Sequence, residues 1–217
     1  MRELIICSVG CHAMEMAEIV ERINRAAPTW TLLGFFSEKK RHEKHRGMTL
    51  YGLPVLGTIE DLGRHPGAAL AIGNEFRDPL PIERAATLVD PSAFVSRSAR
   101  LGRGCVIYPG CFIGHNARLG DRVFSLAGSV INHDDVLEDN VCLCSHVTLA
   151  GSVHVEAWAY LGQACAVRQN LRIGRGSLIG MGAVVVKDVP PGVVMAGNPA
   201  RKLKDRPPPP AAQTPGA

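Results

Sequence analysis

Aromatic residues, long apolar runs and strong net charge are all scarce in this sequence. Phe, Trp and Tyr make up 5% of the 217 residues, although hydrophobic residues make up 46%. So few rings indicate a thin core. No run of eighteen apolar residues is present, so we expect no membrane span. A formal net charge of +4 is mildly basic and does not by itself predict a nucleic-acid partner.

Disulfide and redox motifs are also missing. The seven cysteines are odd in number and include no C-x-x-C pair. The stretch from Met1 to Ile6 has the pattern of a strand start, so we do not expect a signal peptide there. Cys105, Cys111 and Cys165 have the spacing of small buried side chains. We therefore expect reduced thiols and a cytoplasmic protein.

The sequence does contain a strict six-residue period. An aliphatic residue recurs at every sixth position over ninety residues, and Ser125 is the single exception. This period predicts a parallel β-helix in which each unit forms one short strand and one turn. An ordinary sandwich or barrel would show irregular spacing, with turn signals every 8–12 residues. The sixteen positions are Val95, Leu101, Ile107, Ile113, Leu119, Ser125, Ile131, Leu137, Leu143, Leu149, Val155, Leu161, Val167, Ile173, Ile179 and Val185.

A second position in each unit, four residues after the aliphatic one, is also restricted. It carries a mostly small or β-branched side chain, as a narrow triangular core requires. Three units form one coil of eighteen residues, so residues eighteen apart stack on one another. The residues that follow this rule are Ala99, Cys105, Cys111, Ala117, Val123, Ser129, Val141, Val147, Val153, Ala159, Cys165, Ser177 and Ala183.

The N-terminal part of the chain lacks this period and alternates between strand and helix patterns. Strands are predicted at Leu4–Val9, Thr31–Phe36 and Ala68–Ile72, and helices at Met14–Ala26 and Arg77–Ala86. Alternating strands and helices predict a small parallel α/β domain of Rossmann-like type.

The sequence therefore divides into three parts. Residues 1–88 form the α/β domain, and residues 89–203 form the β-helix. Residues 204–217 are rich in proline, and we expect this tail to be disordered.

Three stretches, Ile5–His12, Val130–Asp134 and Lys187–Arg201, carry a resemblance to a known family. In them the chain resembles the hexapeptide acyltransferases of the sialic-acid O-acetyltransferase and bacillosamine-type N-acetyltransferase family. The resemblance implies a left-handed β-helix that uses acetyl-CoA, joined to a sugar-nucleotide-binding domain. It also implies a homotrimer with active sites at the subunit interfaces.

The resemblance makes His133 the general base of acetyl transfer. Its imidazole would remove a proton from the acceptor as the acceptor attacks the acetyl thioester. Asp134 would hold the ring in one tautomer and stabilise the imidazolium. His115 lies one coil before His133, so it could contact His133 or the acceptor; structural stacking is the favoured interpretation of that position.

The resemblance also implies the residues that contact acetyl-CoA. Gly151 lies one coil after His133, where its N–H can serve as an oxyanion donor. Cys142 stands where the family commonly has a second histidine. Arg201 lies beyond the last coil, where a cation can meet the CoA phosphates. The expected cofactor-binding residues are Cys142, Gly151, Gln163, Met181 and Arg201.

The expected substrate-binding residues lie in the α/β domain. A parallel sheet binds ligands beyond the carboxyl ends of its strands, and the turn after the first strand can hold a phosphate at a helix N-terminus. Ser37-Glu38 stands where the family usually has an Asp that binds the nucleoside. The full set is Gly10, Cys11, His12, Ser37, Glu38, Gly57, Gly73 and Asn74.

The sequence therefore predicts an acetyl-CoA-dependent enzyme that acetylates the amine of a nucleotide-linked amino sugar and needs no metal. A sugar O-acetyltransferase of the sialic-acid type and a non-catalytic β-helix binding protein are the alternatives. A zinc hydratase on the same fold would need three histidines, including a pair five residues apart. His146 and His154, the pair nearest to that spacing in the β-helix, are eight residues apart.

Overall fold

The protein was analysed as a computed structural model, which describes residues 1–207. Two compact units are present. The first holds Met1–Pro91 with Arg103–Val106, and the second holds Ser92–Gly102 with the chain from Ile107 onward. The boundary lies three residues after the predicted one at residue 88. Residues 208–217 of the predicted tail lie outside the described residues.

The first unit is built on a mostly parallel sheet. Its strands are β1 (Arg2–Cys7), β2 (Trp30–Phe36), β3 (Thr49–Leu50), β4 (Leu53–Gly57) and β5 (Ala69–Ile72), and their order is β3-β4-β2-β1-β5. β4, β2, β1 and β5 are parallel, and β3 is antiparallel to β4. The predicted Rossmann-like alternation is confirmed. Helices α1 (Cys11–Ala26) and α2 (His42–His45), three 3-10 turns (Lys39–Arg41, Ile59–Arg64 and Ile82–Arg84) and the strand Leu88–Val89 complete this part of the chain.

Helix α1 buries an apolar stripe against the sheet. The spacing of Met16, Ile19 and Val20 places them on one helical face, and all three are buried. The helix predicted over Arg77–Ala86 is wrong, because the structure has only the short 3-10 turn Ile82–Arg84 there. Pro79 and Pro81 explain the difference. Each lacks a backbone N–H and disfavours a helical conformation in the residue before it.

The second unit is the predicted left-handed parallel β-helix. Inside the β-helix, a strand pairs with the strands one coil before and one coil after it, and these pairings create three flat faces. The first face contains Phe94–Val95, Phe112–Ile113, Val130–Ile131, Thr148–Leu149, Ala166–Val167 and Val184–Val185. The second contains Arg100–Leu101, Arg118–Leu119, Val136–Leu137, His154–Val155 and Arg172–Ile173. The third contains Val106–Ile107, Phe124–Ser125, Cys142–Leu143, Tyr160–Leu161, Leu178–Ile179, Val193–Ala196 and Arg201–Asp205.

Turns of four residues join the faces at three corners. The first corner joins the first face to the second, the second corner joins the second face to the third, and the third corner returns to the first face. Many of these turns contain a residue with positive φ, such as Asp134 (+60°) and His146 (+59°). A left-handed residue lets the chain turn sharply between two short strands.

The aliphatic ladder fills the interior of the β-helix. Ile113, Ile131 and Leu149 follow one another on the first face and are fully buried. Ser125, the exception in the ladder, is also fully buried, and its Oγ lies 3.6 Å from the Cys111 Sγ. A small polar residue is tolerated there because a thiol provides its partner.

The last strand closes the third face. Arg201–Asp205 pairs antiparallel with Val193–Ala196 and continues two residues past the predicted end of the β-helix at 203. The Arg206 guanidinium then donates to the carbonyl oxygens of Gly176 and Ser177 at 2.9 and 3.0 Å. Within residues 1–207, no helix has the length and apolar character needed to cross a membrane.

The ladder predicts a large stability cost for truncating an inward aliphatic residue. Leu149→Ala should lower the free energy of unfolding by about 2–5 kcal/mol, because the neighbouring coils cannot collapse into the cavity. Thr148→Ala is the matched control, since Thr148 is the exposed residue of the same strand. Denaturant unfolding at one protein concentration measures both changes. Equal effects from the two variants would contradict the buried ladder.

Candidate functional site

Three residues of the first corner stack in one column. The Asp134 N–H donates to the His115 carbonyl oxygen at 2.8 Å, and the Ser152 N–H donates to the His133 carbonyl oxygen at 2.9 Å. These bonds hold His115, His133 and Gly151 one above another. The His115 Nδ1 lies 2.8 Å from the Ser98 Oγ, so this ring has its own partner in the coil below.

His133 and Asp134 form a hydrogen-bonded pair at the surface. The His133 Nδ1 lies 3.0 Å from the Asp134 Oδ2, and the two side chains are 62% and 51% exposed. The hydrogen bond with His133 lowers the pKa of the Asp134 carboxyl, and a second bond from Asn116 acts in the same direction. An ionised Asp134 accepts from Nδ1–H, which leaves the lone pair on Nε2. That tautomer is the one a base needs.

Gly151 lies against the basic nitrogen of His133. A Cβ added at Gly151 would lie 2.8 Å from the His133 Nε2, and the φ of Gly151 is +106°. Both facts require glycine at this position. Within residues 1–207, the Gly151 N–H donates no hydrogen bond. The corner therefore offers a base and a nearby N–H donor.

Asp135, which the sequence analysis missed, lies directly behind this pair. Its side chain is fully buried, and its two oxygens accept from the Asn132 N–H at 2.7 Å and the Val153 N–H at 2.8 Å. Burial raises the pKa of Asp135 to about 6, against the opposing effect of these two bonds. The signal was present in the sequence. Position 135 is a second inward position, and its acidic residue breaks the rule of small side chains.

Most residues expected to contact acetyl-CoA lie away from His133 within one chain. Gln163 and Met181 are exposed at the third corner, where the Gly182 N–H donates to the Gln163 carbonyl oxygen. Cys142 is buried on the third face, and Arg201 is exposed in its last strand. Gly151 is the one member of the set that lies beside the His133 ring.

The remaining histidines of the β-helix are separated from each other. His154 hydrogen-bonds Glu138 on the second face at 2.8 Å. His146 is exposed at the third corner, where its ring lies over Gly128. Among residues 1–207, no group of three His, Cys, Asp or Glu side chains is arranged to hold a metal ion. The structure therefore gives no support to the zinc-hydratase alternative.

In the first unit, the expected substrate residues follow the carboxyl ends of neighbouring strands. Gly10 comes after β1, Ser37-Glu38 after β2 and Gly73-Asn74 after β5. Gly10 is the N-cap residue of the sixteen-residue helix α1, no side chain caps it, and no atom lies within 4 Å of a Cβ added there. The N–H of Cys11, in the first turn of α1, is thus placed where it can face an anion.

Two of these residues have structural partners. Ser37 is fully buried, and its Oγ lies 2.8 Å from the His45 Nδ1. Glu38 is also buried, and its Oε1 accepts from the Arg77 N–H at 2.9 Å. This pair therefore organises the loops at the sheet edge.

Gly57 and Gly73 are required by close packing. A Cβ at Gly57 would collide with the Asp61 carboxylate, which accepts from the Thr58 N–H in a capping box. A Cβ at Gly73 would lie 2.8 Å from the Ser8 Cβ, so glycine lets the loops after β1 and β5 approach.

Solved structures similar to this chain over most of its length include acetyltransferases. A histidine-to-alanine variant of GDP-perosamine N-acetyltransferase from Caulobacter crescentus, in complex with CoA and GDP-perosamine, has 27% sequence identity and a TM-score of 0.83. The match covers 94% of this chain and 97% of that one. The acetyltransferase domain of PglB from Neisseria gonorrhoeae has 25% identity and a TM-score of 0.80, covering 94% and 100%. The resemblance to hexapeptide-repeat acyltransferases is thereby confirmed over the whole fold.

The curated relatives match a short part of the chain. Acyl-[acyl-carrier-protein]--UDP-N-acetylglucosamine O-acyltransferase from Herminiimonas arsenicoxydans is 45% identical over 62 residues, which are 29% of this chain and 24% of the relative. The Pseudomonas aeruginosa protein of the same name is 45% identical over 65 residues. The chain thus spans about a quarter of the length of these relatives. No family model matches the chain.

The buried Asp135 predicts a pH-dependent stability. Because its pKa is raised on folding, the stabilisation from its proton is complete below the ordinary carboxyl value of 3.8 and is lost as the pH rises through 6. Relative to the non-titrating Asp135→Asn variant, the free energy of unfolding of the wild type should fall by about 3 kcal/mol between pH 3.5 and pH 7. Urea unfolding at several pH values measures this difference. A constant difference would show that the raised pKa is wrong.

Proposed function

We propose that this left-handed β-helix chain is an acetyl-CoA-dependent N-acetyltransferase acting on the amine of a nucleotide-linked amino sugar. The observation that carries the proposal is the His133–Asp134 pair at the first corner, with the His133 Nε2 directed at Gly151. The whole-chain likeness to the perosamine N-acetyltransferase, which was crystallised with CoA and GDP-perosamine, supports the same substrate class.

The chemistry follows from the tautomer that Asp134 selects. The acceptor amine attacks the thioester carbonyl carbon, a C–N bond forms, and His133 Nε2 takes the proton that the amine loses. The negative charge on the carbonyl oxygen is stabilised by the Gly151 N–H. The C–S bond then breaks, and the imidazolium returns the proton to the CoA sulfur. Asp134 stabilises the imidazolium between these steps.

We assign acetyl-CoA to the third corner of a second copy of the chain, in a homotrimer with active sites at the subunit interfaces. Gln163 and Met181 are exposed there, and Cys142 and Arg201 belong to the adjoining third face. An exposed apolar surface on the first face supports assembly, since Phe94 and Phe112 stack at 4.9 Å and are 56% and 38% exposed.

We assign the nucleotide to the first unit. The uncapped N-terminus of α1 suits a diphosphate, and Gly10 leaves space for it. Ser37, Glu38 and Asn74 lie at the same sheet edge and would contact the nucleoside. Because both substrates are intracellular metabolites by chemical class, we place the reaction in the cytoplasm.

N-acetylation is favoured over O-acetylation by the extent of the likenesses. The N-acetyltransferase structures match both units of the chain, whereas the O-acyltransferases match about 30% of it. No observation in residues 1–207 favours the sialic-acid type of O-acetyltransferase or a binding protein without activity.

Replacing the base should remove most of the turnover. His133→Asn should lower kcat by roughly 10²–10⁴-fold, because proton removal from the amine is lost, while a planar polar side chain is kept at this position. Release of the CoA thiol with a panel of nucleotide-linked amino sugars measures the rate. His154→Asn is the control, since it removes a histidine from the second face.

Two results would contradict the proposal in different ways. Undiminished turnover by His133→Asn would remove the base from the mechanism. No turnover by the wild-type protein with any amino-sugar nucleotide would overturn the proposed function itself.

Gly151→Ala tests whether activity depends on the space beside His133 or only on backbone strain at a glycine with positive φ. The added methyl group would meet the His133 Nε2, so we expect a loss of kcat of about 10²-fold. Gly176→Ala is the control, because Gly176 also has a positive φ, of +63°, but lies at the second corner. Gly176→Ala should lose about 1–2 kcal/mol of stability, the cost of a side chain in the left-handed conformation. Gly151→Ala should lose at least as much, because its φ is +106° and its methyl group meets the His133 ring. Equal activities of the two variants would show that contact with His133 is unimportant.

A further inference from the structure

We infer that Asp135 is a positioning residue, which holds the His133 turn against the Gly151 turn by accepting one backbone N–H from each. This inference rests on the proposed acetyl transfer. Asp135 is fully buried behind the first corner and cannot itself contact a substrate. Any effect it has on the reaction therefore acts through the groups it holds.

The location of Asp135 is costly in terms of stability. In the same inward column, Ala117, Val153, Leu171 and Val189 are apolar and buried. A carboxylate among them loses its hydration, and an apolar side chain of similar volume is often neutral or stabilising in such a place. A need for stability alone does not explain this residue.

The two bonds of Asp135 join the two turns directly. Its Oδ2 accepts from Asn132, the residue before His133, and its Oδ1 accepts from Val153, two residues after Gly151. Charge-assisted bonds of 2.7 and 2.8 Å are stronger than bonds between neutral groups. One side chain thus fixes the base in one coil and the N–H donor in the next.

The hydrogen bonding of this corner differs from that of the other coils. Elsewhere the first residue of the turn donates its N–H to the next coil, as Gly114 does to Ile131 and Ala150 does to Val167. At Asn132 the N–H goes to Asp135, and the Asn132 Nδ2 makes the bond to the Leu149 carbonyl oxygen at 2.7 Å. The coil that carries His133 therefore has its own backbone arrangement.

The N–H of the last turn residue is also redirected. Ala99 and Ala117, in the same column, donate to carbonyl oxygens of their own turns, Ser96 and Gly114, at 3.0 and 3.3 Å. Val153 donates across to the Asp135 carboxylate at 2.8 Å instead. Both departures involve Asp135, and both lie beside the His133–Gly151 contact.

Asp135→Val separates a positioning role from a structural one. Valine suits the inward column, and the freed Asn132 and Val153 N–H groups can turn to the carbonyl oxygens that such groups bond in other coils. The melting temperature should therefore change little, while kcat should fall about 10–100-fold because the base is misplaced. The KM values for acetyl-CoA and acceptor should change less than about twofold, since neither substrate touches Asp135. Ser177→Val is the control, because Ser177 is a fully buried polar residue at the second corner; its kcat should match the wild type.

Asp135→Asn provides a second, nearly isosteric variant. The amide oxygen can accept one of the two N–H groups, but its NH₂ faces the other, so one bond is lost. We expect a kcat between those of the wild type and Asp135→Val. Wild-type kcat in both variants would overturn the inference.

A crystal structure of Asp135→Val tests the inference even if the wild type shows no acetyl transfer. We expect the His133 ring to move by about 1 Å or more relative to Gly151, a misplacement large enough to impair catalysis. An unmoved ring would overturn the positioning role. Failure of the wild type with every acceptor, together with a displaced ring, would reject the proposed function and keep the positioning role.

Discussion

The stacking of identical coils is the constraint on which the rest of the structure depends. Each inward aliphatic side chain packs on the residues eighteen positions away, and the strands bond in the same register from coil to coil. A residue at a corner therefore has a fixed neighbour one coil above and one below. The repeated aliphatic residues contribute no reactive group, but their packing fixes the positions of turn residues as closely as a catalytic site requires.

The proposed chemistry lies where the repeat is locally broken. Gly151 has a φ of +106° and no side chain, which leaves room for the His133 ring. Asp135 places a charge where the core requires a small apolar group. These departures occur in two adjacent turns of one corner. Sites that depart from local sequence rules are where functional residues are expected, and these two turns hold the proposed base and N–H donor.

The six-residue period was sufficient to predict the β-helix, the coil length and the column that contains His133 and Gly151. It was insufficient in places where prolines or charges override a pattern. Pro79 and Pro81 prevent the helix expected over Arg77–Ala86. Asp135 was passed over because the rule for the second inward position treats an acidic residue as a gap. A period also cannot show how Gln163 and Met181 would reach His133, since their corner differs from that of His133.

The first unit shows why a glycine pattern is a weak guide to binding. Gly10, Gly57 and Gly73 look alike as candidate positions in the sequence, yet close packing against Asp61 and Ser8 accounts for Gly57 and Gly73. Ser37 and Glu38 also have structural partners, in His45 and Arg77. Gly10 differs, because space surrounds it and the N–H groups of α1 behind it have no side-chain cap. A glycine that close packing explains gives little evidence for a ligand site. A glycine that leaves backbone N–H donors exposed gives stronger evidence. Gly10 is therefore the position in the first unit that best fits the proposed phosphate contact, because Ser37 and Glu38, the proposed nucleoside contacts, already have structural partners.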